Sequence, residues 1–318
     1  MGTVIAYAKD HAMRETDASD RNTRSAMSIG IDIGGMSVKL GVVDHDTIID
    51  KRVVKVDKTS TAEEIVHNLV NVCKEFMETY SICKIGVGTP GIISNGKVSA
   101  ANLPFKEFNL AEALENRLNL PVKIENDANC AALGESKAGG SKGAKNSMLI
   151  TLGTGIGGGI IINNAIYRGR GNAGEIGHLC LEPGGKQCHC GKQGCWEQFA
   201  SVTALINMTN DAIKENPGSI LAGIALTSGE VSGETVFLGV EQDCEVAKKV
   251  LDSYVIYLAE GINSLISIFD PEMILLSGGL SNAGDQLLAP LKEKINSDTV
   301  VSVSVLKNDA GLIGAANL

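Results

Sequence analysis

The 318-residue sequence predicts an α/β fold built from a duplicated unit, and three observations carry that prediction. Residues 28–44, SIGIDIGGMSVKLGVVD, are a β-rich run broken by a glycine pair, the pattern of two strands turning over glycine. Residues 147–163, beginning SMLITLGTGIGGGIII, repeat the pattern roughly 120 residues later, as a duplicated unit would. Each half then continues with mixed helix and strand signals, which is α/β organisation.

Composition narrows the function classes. Apolar residues make up 44% and charged residues 20%, an ordinary globular mixture that supports a large core. With 28 Lys and Arg against 37 Asp and Glu, the net charge of −9 excludes a broad basic face for nucleic acid. The 37 glycines, with only seven prolines, suggest tight backbone approaches rather than low complexity. The most apolar stretch, residues 148–162, contains five glycines, and nothing reaches the roughly 18 apolar residues of a membrane span. Residues 4–8 are too short for the apolar part of a secretory signal. Residues 1–26 read as a polar tail, either a leader, a disordered extension or a short helix, and are assigned no function.

The elements follow in chain order. Helical spacing covers residues 62–80, a short strand 84–87, and Thr89-Pro90-Gly91 reads as a turn. Residues 110–118 are predicted as a helix capped by Asn109, and 122–125 as the strand that delivers Asn126-Asp127 to a helix over 128–138. Val246, Val250, Tyr254, Leu258, Ile262, Leu265 and Phe269 recur at three- or four-residue intervals, a long amphipathic helix that Pro271 ends. Residues 273–276 are a buried strand running into Ser277-Gly278-Gly279, with a helix beyond Gly284 and a short one over 311–318. No Pro- or Ser-rich linker separates the halves, so a shared cleft is expected.

Several clusters carry chemistry. In DIGGMSVK at 32–39, a carboxylate at a strand end precedes two glycines, so Asp32 could hold a hydrated cation while backbone amides approach a phosphate. A plain tight hairpin explains the same residues. The second turn, Gly153-Thr154-Gly155-Ile156-Gly157-Gly158-Gly159, concentrates glycine beyond what a hairpin needs and reads as a phosphate cradle. It lacks the Gly-Lys-Ser/Thr ending of a Walker loop, and a β-rich segment follows it where a Rossmann turn would open a helix. Cys188-His-Cys190-Gly-Lys-Gln-Gly-Cys195, with His178 ten residues upstream, supplies three thiolates and an imidazole for a closed, structural zinc shell. His189 competes with His178 as fourth ligand, but a side chain between two ligating cysteines usually points away. The eight cysteines, three of them within eight residues, suit metal rather than disulfides and a reducing cytoplasm. Glu175, His178 and Glu197 flank that loop and are either surface charge or a polar cluster for hydroxyl groups. Asp127 opens a helix, where the dipole favours its ionised form; it is either a helix cap or a weak base of the kind phosphoryl transfer tolerates.

Together these pieces resemble the ROK family of sugar kinases and sugar-responsive repressors, within the actin-like, hexokinase-like ATPases. The match rests on DIGGMSVK at 32–39, TPG at 89–91, ANLP at 101–104, ENDAN at 125–129, GTGIGGG at 153–159, GEIGH at 174–178, CHCGKQGCWE at 188–197 and FDPEMILLSGGL at 269–280. It implies a duplicated actin-like (ribonuclease H-like) fold, two domains around a central cleft: 27–130 with 306–318, and 131–305 carrying the zinc loop. It also implies that Asp127 takes the proton from a sugar hydroxyl, and that Gly91, Asn102, Asn126, Glu175, His178 and Glu197 bind the sugar. Asp32, Gly34, Gly35 and Lys39, with Gly153, Thr154, Gly155 and Gly157, would hold the phosphates of ATP and Mg2+, and Gly278 and Gly279 would lie near the adenosine. His178, Cys188, Cys190 and Cys195 would hold Zn2+, His178 turning its second ring nitrogen to the sugar. The family usually has Thr after the first Gly-Gly; Met36 stands there in this chain, which puts the usual hydroxyl contact in doubt.

The expected activity is transfer of the ATP γ-phosphoryl group to a hexose hydroxyl, the 6-OH of glucose first, by a cytoplasmic homodimer with no nucleic-acid or membrane partner. The alternatives are a kinase for fructose, mannose, N-acetylmannosamine or a β-glucoside, and a non-enzymatic sugar sensor or transcriptional regulator. Against a regulator, only about 27 residues precede the first strand, too few for a winged-helix module.

Overall fold

The computed structural model describes residues 4–6, 26–57, 59–94, 96–100 and 102–318, which divide into two compact units. Unit 1 comprises the described residues up to Lys142, together with Gly169–Asn172 and Asn308–Leu318; unit 2 comprises Gly143–Arg168 and Ala173–Lys307.

Unit 1 contains β1 (Val4–Ala6), β2 (Met27–Ile33), β3 (Ser37–Asp44), β4 (Thr47–Lys55), α1 (Ala62–Thr79), β5 (Ile82–Thr89), β6 (Ile92–Ser94), β7 (Lys97–Ser99), β8 (Phe108–Asn109), α2 (Leu110–Leu118), β9 (Val122–Asn126) and α3 (Asp127–Ala138). Six strands lie in the order β1-β4-β3-β2-β5-β9, and β6-β7-β8 form a small separate sheet. The α1 helix starts at a capping box, in which Thr61 accepts from the Glu64 amide and the Glu64 carboxylate accepts from Thr61. Its Ile65, Leu69, Cys73 and Phe76 recur at helical spacing and are buried with Ile29, Ile31, Leu40 and Val87 of the sheet. Of the tail expected at 1–26, Val4–Ala6 instead form an edge strand paired antiparallel to β4; residues 1–3 and 7–25 lie outside the described residues.

Unit 2 contains β10 (Ser147–Leu152), β11 (Ile156–Ile162), β12 (Ala165–Ile166), a 3-10 turn at Ile176–His178, α4 (Glu197–Ala200), α5 (Val202–Glu215), α6 (Ile220–Ser228), α7 (Thr235–Glu241), α8 (Glu245–Phe269), β13 (Met273–Ser277), α9 (Asp285–Glu293) and β14 (Val300–Val303). Its sheet runs β12-β11-β10-β13-β14. Trp196, Tyr254, Leu258 and Ile262 are buried in its core. The α8 helix stops at Phe269 because Asp270 takes a left-handed conformation (φ +43°) just before Pro271.

Duplication is visible in the strand order. The antiparallel pairs β2/β3 and β3/β4 and the parallel pairs β2/β5 and β5/β9 recur in unit 2 as β10/β11, β11/β12, β10/β13 and β13/β14. The chain ends in α10 (Ala310–Ala316), which belongs to unit 1 and packs on α3. A Cβ on Gly134 would lie 2.1 Å from the Ala310 carbonyl oxygen, so the two helices touch through backbone. The sequence expectation places the domain boundary at 130/131. All of α3 stays with unit 1, and the division falls at 142/143. Among the described residues no helix is long and apolar enough to cross a membrane.

Candidate active site

In unit 1 the predicted residues gather at the carboxyl ends of three neighbouring parallel strands, where open α/β sheets present ligand sites. Asp32 on β2 pairs in register with Gly88 on β5, and Thr89 on β5 pairs with Asn126 on β9. Asp32, the Thr89-Pro90-Gly91 turn and Asn126-Asp127 therefore share one sheet edge. Gly91 sits at φ +102°, and a Cβ there would lie 2.3 Å from the Ser99 carbonyl oxygen, so no other residue fits that turn. Asn102 occupies an exposed turn ahead of buried Leu103.

Asp127 is not the helix cap. Asn126 holds that position, its Oδ1 accepting from the amides of Ala128 (2.9 Å) and Asn129 (3.2 Å). That leaves the Asn126 side-chain amide group as the donor available to a ligand, and places Asp127 in the first turn, at the positive end of the α3 dipole, its Oδ1 accepting from the Ala128 amide at 2.9 Å. Below them, buried Glu125 accepts from the Asn126 amide (2.9 Å) and from Asn129 Nδ2 (3.0 Å), fixing the strand-to-helix junction.

Lys39 faces Asp32 across the β2/β3 hairpin, with Nζ 3.1 Å from Asp32 Oδ2 and 2.9 Å from the Asn308 carbonyl oxygen it donates to. Its amine thus positions the aspartate. The turn itself closes with the Gly34 amide donating to the Ser37 oxygen, and Met36 projects 78% exposed.

Unit 2 holds a cavity of about 460 Å³ whose wall joins four separate motifs. Gly153, Gly155 and Gly157 come from the β10/β11 hairpin, Glu175 and His178 from GEIGH, His189 and Glu197 from the cysteine loop, and Gly278 and Gly279 from the end of β13. Thr154 lies at the hairpin tip, its carbonyl accepting from Thr203 Oγ1 at 2.8 Å. A Cβ at Gly155 would lie 2.5 Å from Glu197 Oε2, so glycine lets the hairpin reach that carboxylate. Gly278, at φ +94°, passes close to the Leu152 backbone. Thr151, absent from the residues the sequence singles out, lines the cavity and accepts from the Gly157 amide. Its signal is a hydroxyl next to the glycine hairpin, at the end of a β10 run that is apolar from Met148 to Ile150.

The ligand atoms of His178, Cys188, Cys190 and Cys195 all lie within 4.8 Å of one another. Cys190 Sγ and Cys195 Sγ are 3.6 Å apart, and Cys188 Sγ is 3.7 Å from His178 Nδ1. Tetrahedral bonds of about 2.3 Å to sulfur require ligand separations near 3.8 Å, so the donor set fits a zinc-sized soft cation. His178 turns its other nitrogen, Nε2, toward Glu175 Oε2 at 3.9 Å. His189 is outside this set; exposed, it reaches Glu197 Oε1 at 3.2 Å instead. Glu197 is buried and also accepts from Cys188 Sγ at 3.1 Å. Burial pushes the Cys188 thiol up to about 12 and raises Cys195, whereas the Lys192 amide lowers Cys190. A cation binding here must displace protons from the raised thiols.

A sequence model of the ROK family matches residues 28–318. The glucokinase of Streptomyces coelicolor is 37% identical over 92% of this chain and 97% of its own. Among solved structures, a ROK family glucokinase from Streptomyces griseus, in complex with glucose and AMPPNP, matches with a TM-score of 0.75 at 34% identity over 92% of this chain and 98% of that one. A ROK hexokinase from Thermus thermophilus matches with a TM-score of 0.80 at 31% identity over 91% and 96%. The xylose repressor of Bacillus subtilis is 26% identical over 87% of this chain and 70% of its own. The two-domain actin-like fold of these kinases is the fold of this chain.

Proposed function

The chain belongs to the ROK family, and from that premise we propose that it is an ATP-dependent kinase that phosphorylates the 6-OH of glucose. The observation that carries this reading is the unit 2 cavity, where a glycine hairpin suited to phosphates meets the acids and histidine that flank the cysteine loop. Glucokinases match at higher identity than the repressor, which favours catalysis over sensing.

On this reading Asn102, the Asn126 side-chain amide, Glu175, His178 Nε2 and Glu197 orient the sugar, with Gly91 offering backbone. The 6-oxygen attacks the γ-phosphorus, the bond to the β–γ bridging oxygen breaks, and Asp127 receives the hydroxyl proton. A weakly basic carboxylate at a helix start suffices, because the proton leaves late in a largely dissociative transition state and positioning dominates. Backbone amides at Thr154 and Gly155 face the triphosphate, those of Gly153 and Gly157 being held inside the hairpin by the Gly155 carbonyl and Thr151 Oγ1, and Gly278 and Gly279 approach the nucleoside. Asp32, steadied by Lys39, and the neighbouring Gly34-Gly35 turn hold the Mg2+ side. Mg2+ would neutralise phosphate charge, and Zn2+ on His178, Cys188, Cys190 and Cys195 would brace the loop that carries the sugar contacts. The working form is a cytoplasmic homodimer.

The test is ADP release measured over a panel of hexoses and glucosides. Glucose should give the highest kcat/KM, and D127N should lower kcat by about 10²- to 10⁴-fold with little change in glucose binding. Near-wild-type turnover by D127N removes the base assignment; a DNA mobility shift relieved by sugar, without turnover, favours the regulator.

A further inference from the structure

We infer that Cys180 and Cys195 are placed to form a disulfide that pulls Cys195 away from the metal site, making the loop an oxidation-sensitive site. The inference takes the zinc reading of the loop as its starting point. Cys180 and Cys195 face each other as an antiparallel bridge pair. The flanking bonds define the pair's type: the Leu181 amide donates to the Gly194 oxygen at 2.8 Å, and the Trp196 amide donates to the Leu179 oxygen at 2.7 Å. Those two bonds bracket the cysteines and leave them as a non-hydrogen-bonded pair, the type whose Cα atoms approach to about 4.5 Å with side chains on one face. That spacing falls inside the roughly 4.4–6.8 Å window a disulfide needs.

The register is pinned on the far side of the pair. Gly194, at φ +74°, lies so close to Glu182 that a Cβ would sit 1.7 Å from its carbonyl oxygen. Cys180 is exposed and outside the four-ligand set, whereas Cys195 is buried within it. Cys190 is exposed as well but lies in the ligand set, so Cys180 is the exposed thiol of this loop that an oxidant can reach without competing with the metal, and the neighbour opposite it is a metal ligand.

A low-molecular-weight disulfide supplies a balanced route. The Cys180 thiolate attacks one sulfur of the oxidant, forming a mixed disulfide and expelling one thiolate. Cys195 sulfur then attacks the Cys180 sulfur and expels the second thiolate. Two protein thiolates are oxidised, one small disulfide is reduced to two thiols, and the metal loses one of four ligands. Glu197 lies two residues beyond Cys195, and His178 shares the metal, so sugar contacts loosen with it.

The test treats the purified full chain with oxidised glutathione and follows metal release with a chromogenic chelator and cysteine linkage by peptide mass spectrometry. The expected result is a Cys180–Cys195 link, loss of about one equivalent of zinc in step with it, reversal by a dithiol with added zinc, and release at least about tenfold slower in C180S. C180S should keep wild-type turnover before oxidation. A link confined to Cys188, Cys190 and Cys195, or equally fast release from C180S, overturns the inference. A purified chain without zinc that still forms the 180–195 link removes the zinc reading alone; one that forms no such link overturns the pairing.

Discussion

The two units share a strand order and a glycine-rich hairpin, yet they spend their glycines differently. In unit 1, a Cβ at Gly86 on β5 would lie 1.7 Å from the Ala315 carbonyl oxygen, and one at Gly314 would lie 1.6 Å from that of Cys130. These glycines let α10 lie directly on the sheet and on α3. In unit 2, the Cβ of residue 155 would meet the Glu197 carboxylate. There glycine brings a polar loop to a cavity wall. Composition alone predicts tight approaches, but a helix carbonyl and a cavity-lining carboxylate call for the same residue, so sequence does not separate packing from function.

The largest expected effect breaks the unit 1 arrangement. G86A places its methyl on the backbone of α10, which cannot give way without moving the helix. We expect a stability loss of about 3 kcal/mol or more, read from the urea midpoint, or an insoluble product. A variant that unfolds within about 1 kcal/mol of wild type would show that α10 is not seated by this contact.

The counterpart in unit 2 should separate stability from activity. In G155A the obstructing atom is the end of a side chain, which shifts more cheaply than a carbonyl. Unfolding should change by about 1 kcal/mol or less. By contrast kcat/KM should fall about tenfold, because Glu197 and the hairpin amides lose their register together. Equal losses in stability and activity would mean that the hairpin glycines are packing residues like those of unit 1.

Legibility follows the same divide. Helices with a strong apolar period or a recognisable cap or stop are readable: α1 follows the spacing over 62–80, α2 runs Leu110–Leu118 under Asn109, and α8 ends before Pro271. The segment from Trp196 to Gln242 carries α4 to α7 and is not, because Ile220–Ser228 is apolar around much of its circumference and Glu197–Ala200 is a single turn. The β6-β7-β8 sheet escaped for its two- and three-residue strands. At the site, the Cys-His-Cys spacing pointed to a metal. The Lys39–Asp32 pair depended on hairpin register, and Thr151 on which face of β10 lines the cavity, neither of which composition encodes.

The smallest effect is also the sharpest comparison, because two helix starts in unit 1 use the same cap chemistry for different ends. Thr61 caps α1 at the surface, far along the chain from any residue assigned to catalysis, while Asn126 caps α3 directly before Asp127 and shares the Ala128 amide with it. Removing the Thr61 oxygen strips the Glu64 amide of its partner, and removing the Asn126 oxygen strips the Asn129 amide while Ala128 keeps Asp127 Oδ1, so T61A and N126A should each cost about 1 kcal/mol in chemical denaturation. Only N126A should also lower kcat, since its neighbour is the proposed base and the Asn126 side-chain amide is a proposed sugar contact. N126D restores a capping oxygen without the amide donor; it should recover most of the stability while leaving KM for glucose raised. If N126A loses stability but turns over like T61A, the cap holds the helix alone and Asp127 is oriented by something other than the residue before it.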